Sequence, residues 1–329
     1  MNRRLGWGLF NLALLALVIG GGWFAFAQHQ AIIDWWRLSH YTAPTAVVQL
    51  AADTTMTQHG RDLFYESNPQ IEDRDAFNKN CPNTSSGAGE QGAVLGCYTL
   101  QSIYIFNVTD PRLPGVQQVT AAHETLHAAY ERLDTTTKNQ VNSLLQAELS
   151  KRQSDQDLQQ VISLYNKTEP GELLNEMHSI LGTEYGSLSP ELEQYYQQYF
   201  TNRGKVVAYA QDYKSVFTAS KQRVATYQAQ LTALKQQIDA DETELSTQAT
   251  ELRAQDQQLT ALRSSDTASY NHAVPAYNAK VNAFNQLART TRGLISQYNA
   301  IVVQANNEEA LQTDLNYSLN STYQSMPTQ

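Results

Sequence analysis

Cysteine and positive charge are both scarce in this chain. Its 329 residues include only two cysteines, Cys81 and Cys97, and the formal net charge is −9. Two thiols without a nearby histidine are too few for a structural metal site, so we predict a disulfide, which an oxidising compartment favours. Closing this loop would contribute about 3 kcal/mol in the chain-entropy model. The acidic charge excludes a general affinity for nucleic acid or anionic lipid.

Charge is also absent from a long stretch near the N-terminus. After Arg3 and Arg4, no charged residue occurs before Asp34. As a helix, residues 5–27 would be about 34 Å long, enough to span a bilayer. The two arginines predict a cytoplasmic N-terminus, so residues 1–28 would anchor a single-pass membrane protein with extracytoplasmic domains. A cleaved signal peptide is the alternative; we prefer the anchor because the apolar character continues past the potential cut.

The clearest positive signal is the pentapeptide HETLH, in which His123 and His127 are four residues apart. On a helix these residues share a face, so both imidazoles can bind one ion, and Zn²⁺ accepts imidazole nitrogen well. Glu124 can then act as general base on the attacking water without binding the metal. A surface helix with two solvated histidines is the alternative. Residues 120–129 carry no other charge, which favours a buried helix and a metal site.

A catalytic zinc takes a third protein ligand, and the best candidate is Glu176. It lies in a second predicted helix, for which Thr168 can serve as the N-cap and Gly182 suits the end. Glu172 and Glu184 are weaker candidates. The alternative for Glu176 is a solvated charge on a helix face.

The second helix carries a family resemblance. Asn175-Glu176-x-x-Ser179, together with the HExxH motif, resembles the gluzincins, the thermolysin-like zinc metallopeptidases. The resemblance covers two short helices and implies a zincin-like α+β domain that binds zinc through the two histidines and the glutamate. Two features depart from thermolysin. The insert between the two motifs is longer, and Ile180 stands where an acidic residue orients a zinc histidine.

Residues 98–108 are rich in β-branched and aromatic side chains and end at Asp110-Pro111, which predicts a strand or hairpin. The zincin resemblance implies an edge strand at this point in the chain, just before the active helix. Such an edge binds an extended substrate by strand addition. An ordinary buried strand is the alternative reading.

A zinc peptidase also needs a hydrogen-bond donor for the oxyanion of the tetrahedral intermediate. The sequence offers several phenol, imidazole and guanidinium groups after residue 176 and does not choose among them. These candidates are Tyr185, Tyr195, Tyr196, Tyr199, His178 and Arg203.

The C-terminal part, residues 205–329, has the periodicity of a coiled coil. Apolar residues recur every seven positions at Val224, Leu231, Ile238, Leu245, Leu252 and Leu259. A second helix is predicted to open near Pro275 and to continue the seam at Tyr277, Val281, Phe284, Ile295, Tyr298 and Val302. We predict an antiparallel helical hairpin. A parallel homodimer is the competing arrangement.

Together these patterns predict a mostly α protein with a small β element. A zincin-like metallopeptidase domain over residues 29–204 is followed by the coiled-coil hairpin. The predicted function is a membrane-anchored, extracytoplasmic zinc metallopeptidase that hydrolyses peptides or proteins, with the coiled coil binding an envelope partner or a second copy. Two alternatives are an inactive envelope scaffold that acts through its coiled coil and a zinc amidase that acts on cell-wall peptides.

Overall fold

Helices dominate the structure, a computed structural model that describes Trp23, residues 28–82 and residues 94–321. The first half contains helices α1 (His29–His40), α2 (Thr45–Asp53), α3 (Gln58–Glu66) and α4 (Arg74–Asn80), and strands β1 (Gln70–Glu72), β2 (Gly96–Thr99) and β3 (Ser102–Phe106). The following helices are α5 (Val116–Glu131), α6 (Thr135–Lys151), α7 (Gln156–Thr168), α8 (Leu173–Glu184), α9 (Pro190–Tyr196), α10 (Arg203–Ser265) and α11 (Thr267–Leu319). The predicted fold class, mostly α with a small β element, is confirmed.

The sheet has the strand order β1-β3-β2, so β2 is an edge strand among the described residues. β1 runs parallel to β3, and β2 pairs with β3 in antiparallel register, with Cys97 opposite Tyr104. Leu100 and Gln101 form the β2–β3 turn with positive φ angles of 50° and 58°. Two such residues give a tight turn whose twist matches that of the flanking strands. The stretch 98–108, predicted as a strand or hairpin, contains the end of β2, the turn and all of β3, so of the two alternatives the hairpin is the one found.

The Cys81–Cys97 disulfide predicted from the sequence is present. Cys81 lies at the C-terminal end of α4, and Cys97 lies in the middle of β2. The disulfide therefore ties the edge strand to the helix that follows β1.

The two helices that carry the metal-binding motifs, α5 and α8, pack directly on each other. Leu126 of α5 and Leu181 of α8 are fully buried in the main hydrophobic core. Gly182 allows the close approach, because a Cβ there would lie 2.4 Å from Leu126 Cδ1 and 2.8 Å from Tyr196 Cε1. Gly182 therefore lies inside α8, where it sets the helix spacing, and does not end the helix as predicted.

Replacing Gly182 with alanine is expected to destabilise the fold by about 1–3 kcal/mol, the usual cost of overpacking a core. The matched control is Gly293→Ala in α11, where a Cβ meets nothing within 4 Å. That change should be neutral or stabilising by up to about 1 kcal/mol, because alanine favours helix. Urea unfolding followed by circular dichroism measures both. Equal effects of the two substitutions would contradict the packing argument.

Thr168 does not cap α8. Its hydroxyl donates to the Leu164 carbonyl at 3.1 Å, so Thr168 continues α7 to its last residue. α8 begins five residues later, at Leu173, with Glu172 as its N-cap residue. The difference arises because a threonine hydroxyl can bond backward to the carbonyl four residues earlier as well as forward to a free N–H.

The chain divides into two compact units. One contains the residues up to Lys214 together with those from Tyr317 onward, and the other is Ser215–Asn316. The second unit is the predicted antiparallel hairpin. Only Asp266 separates α10 from α11, and its carboxylate accepts hydrogen bonds from the Ala268 and Ser269 N–H groups.

Pairing within the hairpin confirms the antiparallel direction of its two arms. Arg223 binds Glu308, and farther along α10 Asp241 accepts a hydrogen bond from Thr291, which lies earlier in α11. The predicted seam residues of α10 are half-buried in the structure. In α11 the helix starts before Pro275, and Ile295 is 37 % exposed.

The predicted N-terminal membrane anchor has to be corrected. Within Trp23 and the ranges 28–82 and 94–321, no helix is both long and apolar enough to cross a membrane. The helices before α10 reach at most 17 residues, and the two long helices carry charged side chains along their length. Apart from Trp23, the predicted span lies outside the described residues. The single span, and the cell-membrane localisation based on it, is therefore withdrawn.

Candidate metal centre

Helix α5 brings His123 and His127 to one face, as their spacing predicts. Their Nε2 atoms are 3.0 Å apart, and the rings meet edge to face. The helix is buried along most of its length, and Glu124 between the histidines is 5 % exposed. Two solvated histidines on a surface helix are therefore excluded.

Glu176 reaches the same point from helix α8. Its Oε1 lies 3.5 Å from His123 Nε2, and its Oε2 lies 3.4 Å from His127 Nε2. This His-His-Glu group can hold a metal ion, since its ligand atoms all lie within 4.8 Å of one another. Among the described residues, no other set of three His, Cys, Asp or Glu side chains is grouped closely enough to hold a metal ion.

The spacing of these atoms suits a small tetrahedral cation. Zn²⁺ binds imidazole nitrogen and carboxylate oxygen at about 2.0–2.2 Å, so neighbouring ligand atoms around it stand about 3.4 Å apart. The three separations, 3.0, 3.4 and 3.5 Å, lie around that value. Two nitrogens and one carboxylate also form a ligand set typical of catalytic zinc. The two Glu176 distances run to different carboxylate oxygens, so the group fits such an ion in residue type and in approximate spacing.

Asn175 orients the His127 ring. Its Oδ1 lies 2.9 Å from His127 Nδ1, and its Nδ2 donates to Glu172 Oε2 at 3.0 Å. Because the amide nitrogen faces a carboxylate, the amide oxygen must face the ring and accept the Nδ1–H. With Nδ1–H held by Asn175, His127 presents Nε2 to the metal position, and a metal ion there would take the place of the Nε2 proton. Asn175 thus supplies an orienting contact, whereas Ile180 is a buried apolar residue.

The two weaker ligand candidates have other partners. Glu172 accepts the hydrogen bond from Asn175, and Glu184 forms an ion pair with Lys214 at 2.8 Å. Both line the cavity beside the histidines. Neither belongs to the metal-binding group.

Tyr165 is a site residue that the sequence did not identify as one. It is 8 % exposed and, with Leu158, is one of the buried residues of α7. However, the residue lines the cavity, and it lies close enough to Glu176 for each group to shift the pKa of the other. Burial, followed by the charge of Glu176, raises the pKa of Tyr165, so the phenol remains a hydrogen-bond donor. Only the meeting of α7 with α8 reveals this role.

Electrostatics couple the four ionisable groups. Burial alone would lower the pKa of His127, but the hydrogen bond and charge of Glu176 raise it to about 9. Burial alone would raise the pKa of Glu176, but His123 and His127 lower it to about 2. Burial raises the pKa of Glu124 to about 7. The anionic carboxylate of Glu176, facing two imidazoles, suits the binding of a cation. The carboxyl of Glu124, whose pKa is near 7, suits a general base.

A cavity of about 500 Å³ opens beside these groups. Its lining includes the edge strand β2, residues of α7 and α8, and Glu169 and Glu172 from the segment between those two helices. Gly96 touches the general base candidate, because a Cβ at Gly96 would lie 2.6 Å from Glu124 Oε1. The strand therefore passes directly over the helix at Glu124.

The free edge of β2 exposes backbone hydrogen-bonding groups. The Phe106 N–H donates to the Leu95 carbonyl at 2.8 Å. Hydrogen-bonded and non-bonded pairs alternate along an antiparallel ladder. The register of β2 then turns the N–H and C=O groups of Gly96 and Tyr98 away from β3, toward the free edge.

The predicted oxyanion donors lie elsewhere. None of Tyr185, Tyr195, Tyr196, Tyr199, His178 and Arg203 is among the described residues that line the cavity. His178 is fully buried and lies 2.9 Å from the Tyr195 hydroxyl, which in turn lies 3.1 Å from the Tyr199 hydroxyl. Tyr196 donates to the His178 carbonyl at 2.7 Å. These four residues form an aromatic cluster between α8, which contributes His178, and the segment that contributes the three tyrosines. The cluster stabilises the fold.

The two remaining candidates bind structural partners. Tyr185 donates to Asp155 Oδ2 at 3.0 Å. Arg203 pairs with Glu193 and donates to backbone carbonyls at the C-terminal end of α8, including that of Tyr185 at 2.7 Å. A guanidinium on these carbonyls compensates the helix dipole and satisfies otherwise unpaired acceptors.

Comparison with known proteins adds no name to this geometry. No protein-family model, no curated protein and no solved structure matches the chain. The conclusions about the site are therefore drawn from its own residues.

Proposed function

We propose that the protein is a zinc-dependent peptidase in which His123, His127 and Glu176 bind the metal. The observation that carries the proposal is the convergence of these three side chains on one point, beside a buried carboxyl and an open strand edge. The resemblance of both motifs to the gluzincins supports the same chemistry. Bound in this ligand set, Zn²⁺ would polarise the scissile carbonyl and lower the pKa of water.

Glu124 acts as the general base. It takes one proton from the attacking water as the water oxygen bonds to the carbonyl carbon. It then delivers that proton to the nitrogen as the C–N bond breaks, which leaves a carboxylic acid and an amine. Glu124 is 5 % exposed, and its pKa is about 7. Such a carboxyl group can both accept a proton and release it near neutral pH.

The edge strand β2 would hold the substrate as an extended peptide. The outward backbone groups of Gly96 and Tyr98 can pair with a peptide backbone, which gives affinity without requiring a particular side chain. This edge favours peptides over the cell-wall amides of the alternative reading. In the described part of the chain, three tyrosines line the cavity, Tyr98, Tyr165 and Tyr213. Of these we assign Tyr165, whose pKa responds to the charge of Glu176, as the hydrogen-bond donor to the developing oxyanion.

The direct test is the metal content of the purified full chain, measured by mass spectrometry after equilibration with Zn²⁺. We expect one zinc per chain and, in Glu176→Ala, an affinity lower by at least about 100-fold, since a direct ligand is lost. The control is Glu169→Ala, which removes an exposed carboxylate of the same cavity outside the ligand set. Full zinc occupancy in Glu176→Ala would reject the proposed site.

Hydrolysis is tested with a peptide mixture, a chelator and zinc replacement. We expect cleavage that stops on chelation and returns with Zn²⁺. A chain that binds zinc stoichiometrically but cleaves no peptide would instead support the inactive scaffold.

A further inference from the structure

Helix α1 contacts the rest of the candidate peptidase domain through a charged residue. Asp34 is its buried residue, at 8 % exposure, whereas Trp35 and Trp36 on the same helix are 68 % and 56 % exposed. A helix that buries a carboxylate and exposes its largest apolar side chains is not held mainly by the hydrophobic effect. Its polar contacts must explain its position.

Arg132 provides those contacts. Its Nε and Nη2 donate to the two oxygens of Asp34 at 3.1 and 2.9 Å, a two-pronged pairing. Its Nη1 donates to the Tyr98 hydroxyl at 2.9 Å and to the Ala128 carbonyl at 3.0 Å. One guanidinium therefore joins α1, the end of the active helix α5 and the edge strand β2.

A second set of contacts joins α1 to the turn of the β2–β3 hairpin. Arg37 Nη1 donates to the Gln101 carbonyl at 2.5 Å. Gln101 Nε2 donates to Gln30 Oε1 at 2.9 Å, and Gln30 Nε2 donates to Asp34. Helix α1 thus holds the hairpin at its turn as well as at Tyr98.

The surroundings of the ion pair are poor in water. Burial, then the nearby charge of Asp34, raises the pKa of Glu66 to about 7, although Arg132 opposes the shift. In such a place a bidentate pair is strong and directional, and leaving one partner unpaired is costly. The pair therefore adds a constraint on a four-residue strand that is otherwise held by its pairing with β3 and by the Cys81–Cys97 disulfide.

We propose that α1 is part of the substrate-binding apparatus. Asp34, acting through Arg132 and Tyr98, fixes the open edge of β2 and so sets the affinity for an extended peptide. Asp34 and Arg132 are positioning residues that do not touch the metal ligands. The inference rests on the proposed peptidase function and extends it to a helix that precedes both motifs.

Two variants test this role. Asp34→Asn keeps the shape but removes the charge, and Tyr98→Phe removes only the hydroxyl. In each we expect KM to rise about tenfold, with kcat within about twofold and zinc content unchanged, because weaker ground-state binding raises KM alone. In the combined variant, KM should rise by less than the product of the two single increases, since both substitutions act through Arg132. The control is Trp35→Ala, an exposed change on the same helix.

Hydrogen exchange provides a readout that does not need hydrolysis. The backbone amides of the β2–β3 hairpin should exchange about tenfold faster in both variants, while those of α5 and α8 are unchanged. If the wild type cleaves no peptide, the peptidase proposal fails, but faster hairpin exchange still supports the positioning role. If hydrolysis is normal and both KM and hairpin exchange are unchanged in Tyr98→Phe and Asp34→Asn, the role of α1 is rejected and the peptidase proposal stands. Should Asp34→Asn fail to fold, Tyr98→Phe alone decides.

Discussion

Glu124→Gln should abolish hydrolysis and leave the zinc content unchanged. An amide of the same shape cannot accept the proton of the attacking water, and a positioned general base is worth about 10²–10⁴-fold in rate. The ligand atoms are those of His123, His127 and Glu176, so binding of the ion does not depend on residue 124. We therefore expect kcat to fall by at least about 100-fold with full zinc occupancy.

The same substitution should not destabilise the fold. Glu124 is buried near the Glu176 carboxylate, and burial raises the pKa of Glu124 to about 7. An ionised Glu124 therefore carries a desolvation cost in the folded state, which the neutral amide removes. Thermal unfolding of the variant at pH 8 should occur at or above the wild-type temperature.

Measurements of kcat, zinc content and melting temperature on one preparation separate the outcomes. Glu169→Gln, an exposed carboxylate on the same cavity, is the control and should keep its rate. Retained hydrolysis in Glu124→Gln would remove Glu124 from the mechanism. A loss of zinc together with the loss of rate would mean that the residue supports the metal site and not the proton transfer.

Local periodicity was enough to predict much of the structure. The four-residue spacing of His123 and His127 defines a helix face without any tertiary information, and the seven-residue spacing in α10 does the same for the hairpin. The disulfide followed from there being only two cysteines. In each case the sequence signal spans one helix or one pair of residues.

The remaining features depend on contacts between distant elements. Tyr165 is buried like a core residue, and only the packing of α7 against α8 brings it close enough to Glu176 for the two groups to shift each other's pKa. Tyr195 and Tyr199, in contrast, follow the second motif closely in sequence but face the His178 cluster. Residue type and proximity in sequence cannot separate these cases, because a phenol is equally suited to a core and to a site.

Gly96 shows the same limit most clearly, because no pattern in the sequence marks it as a site residue and the structure places it against Glu124, the proposed general base. A Cβ at this position would lie 2.6 Å from Glu124 Oε1, 2.8 Å from Glu124 Cγ and 2.5 Å from Thr120 Cγ2. Real Cβ atoms do not make contacts this short, so the strand or the carboxylate must move. The glycine lets the proposed peptide-binding edge and the proposed base lie in direct contact.

Gly96→Ala is therefore expected to lower kcat/KM by about 100-fold, the cost of misplacing reacting groups by about 1 Å. Zinc content should stay full, because the clash falls on Glu124 and Thr120 and not on the ligands. Thr120→Ser removes one of the clashing atoms and can keep the hydroxyl bond to the Val116 carbonyl. The pair Gly96→Ala and Thr120→Ser should then recover part of the lost rate.

Gly171→Ala is the matched control, since a Cβ there meets nothing within 4 Å. Steady-state kinetics with one peptide, alongside zinc analysis, compares the four proteins. Recovery by Thr120→Ser would show that crowding between the strand and the active helix, and not lost backbone freedom, causes the defect. A Gly96→Ala enzyme with wild-type kcat/KM would mean that the strand can move away from Glu124 without cost. The close contact would then have no part in placing the substrate.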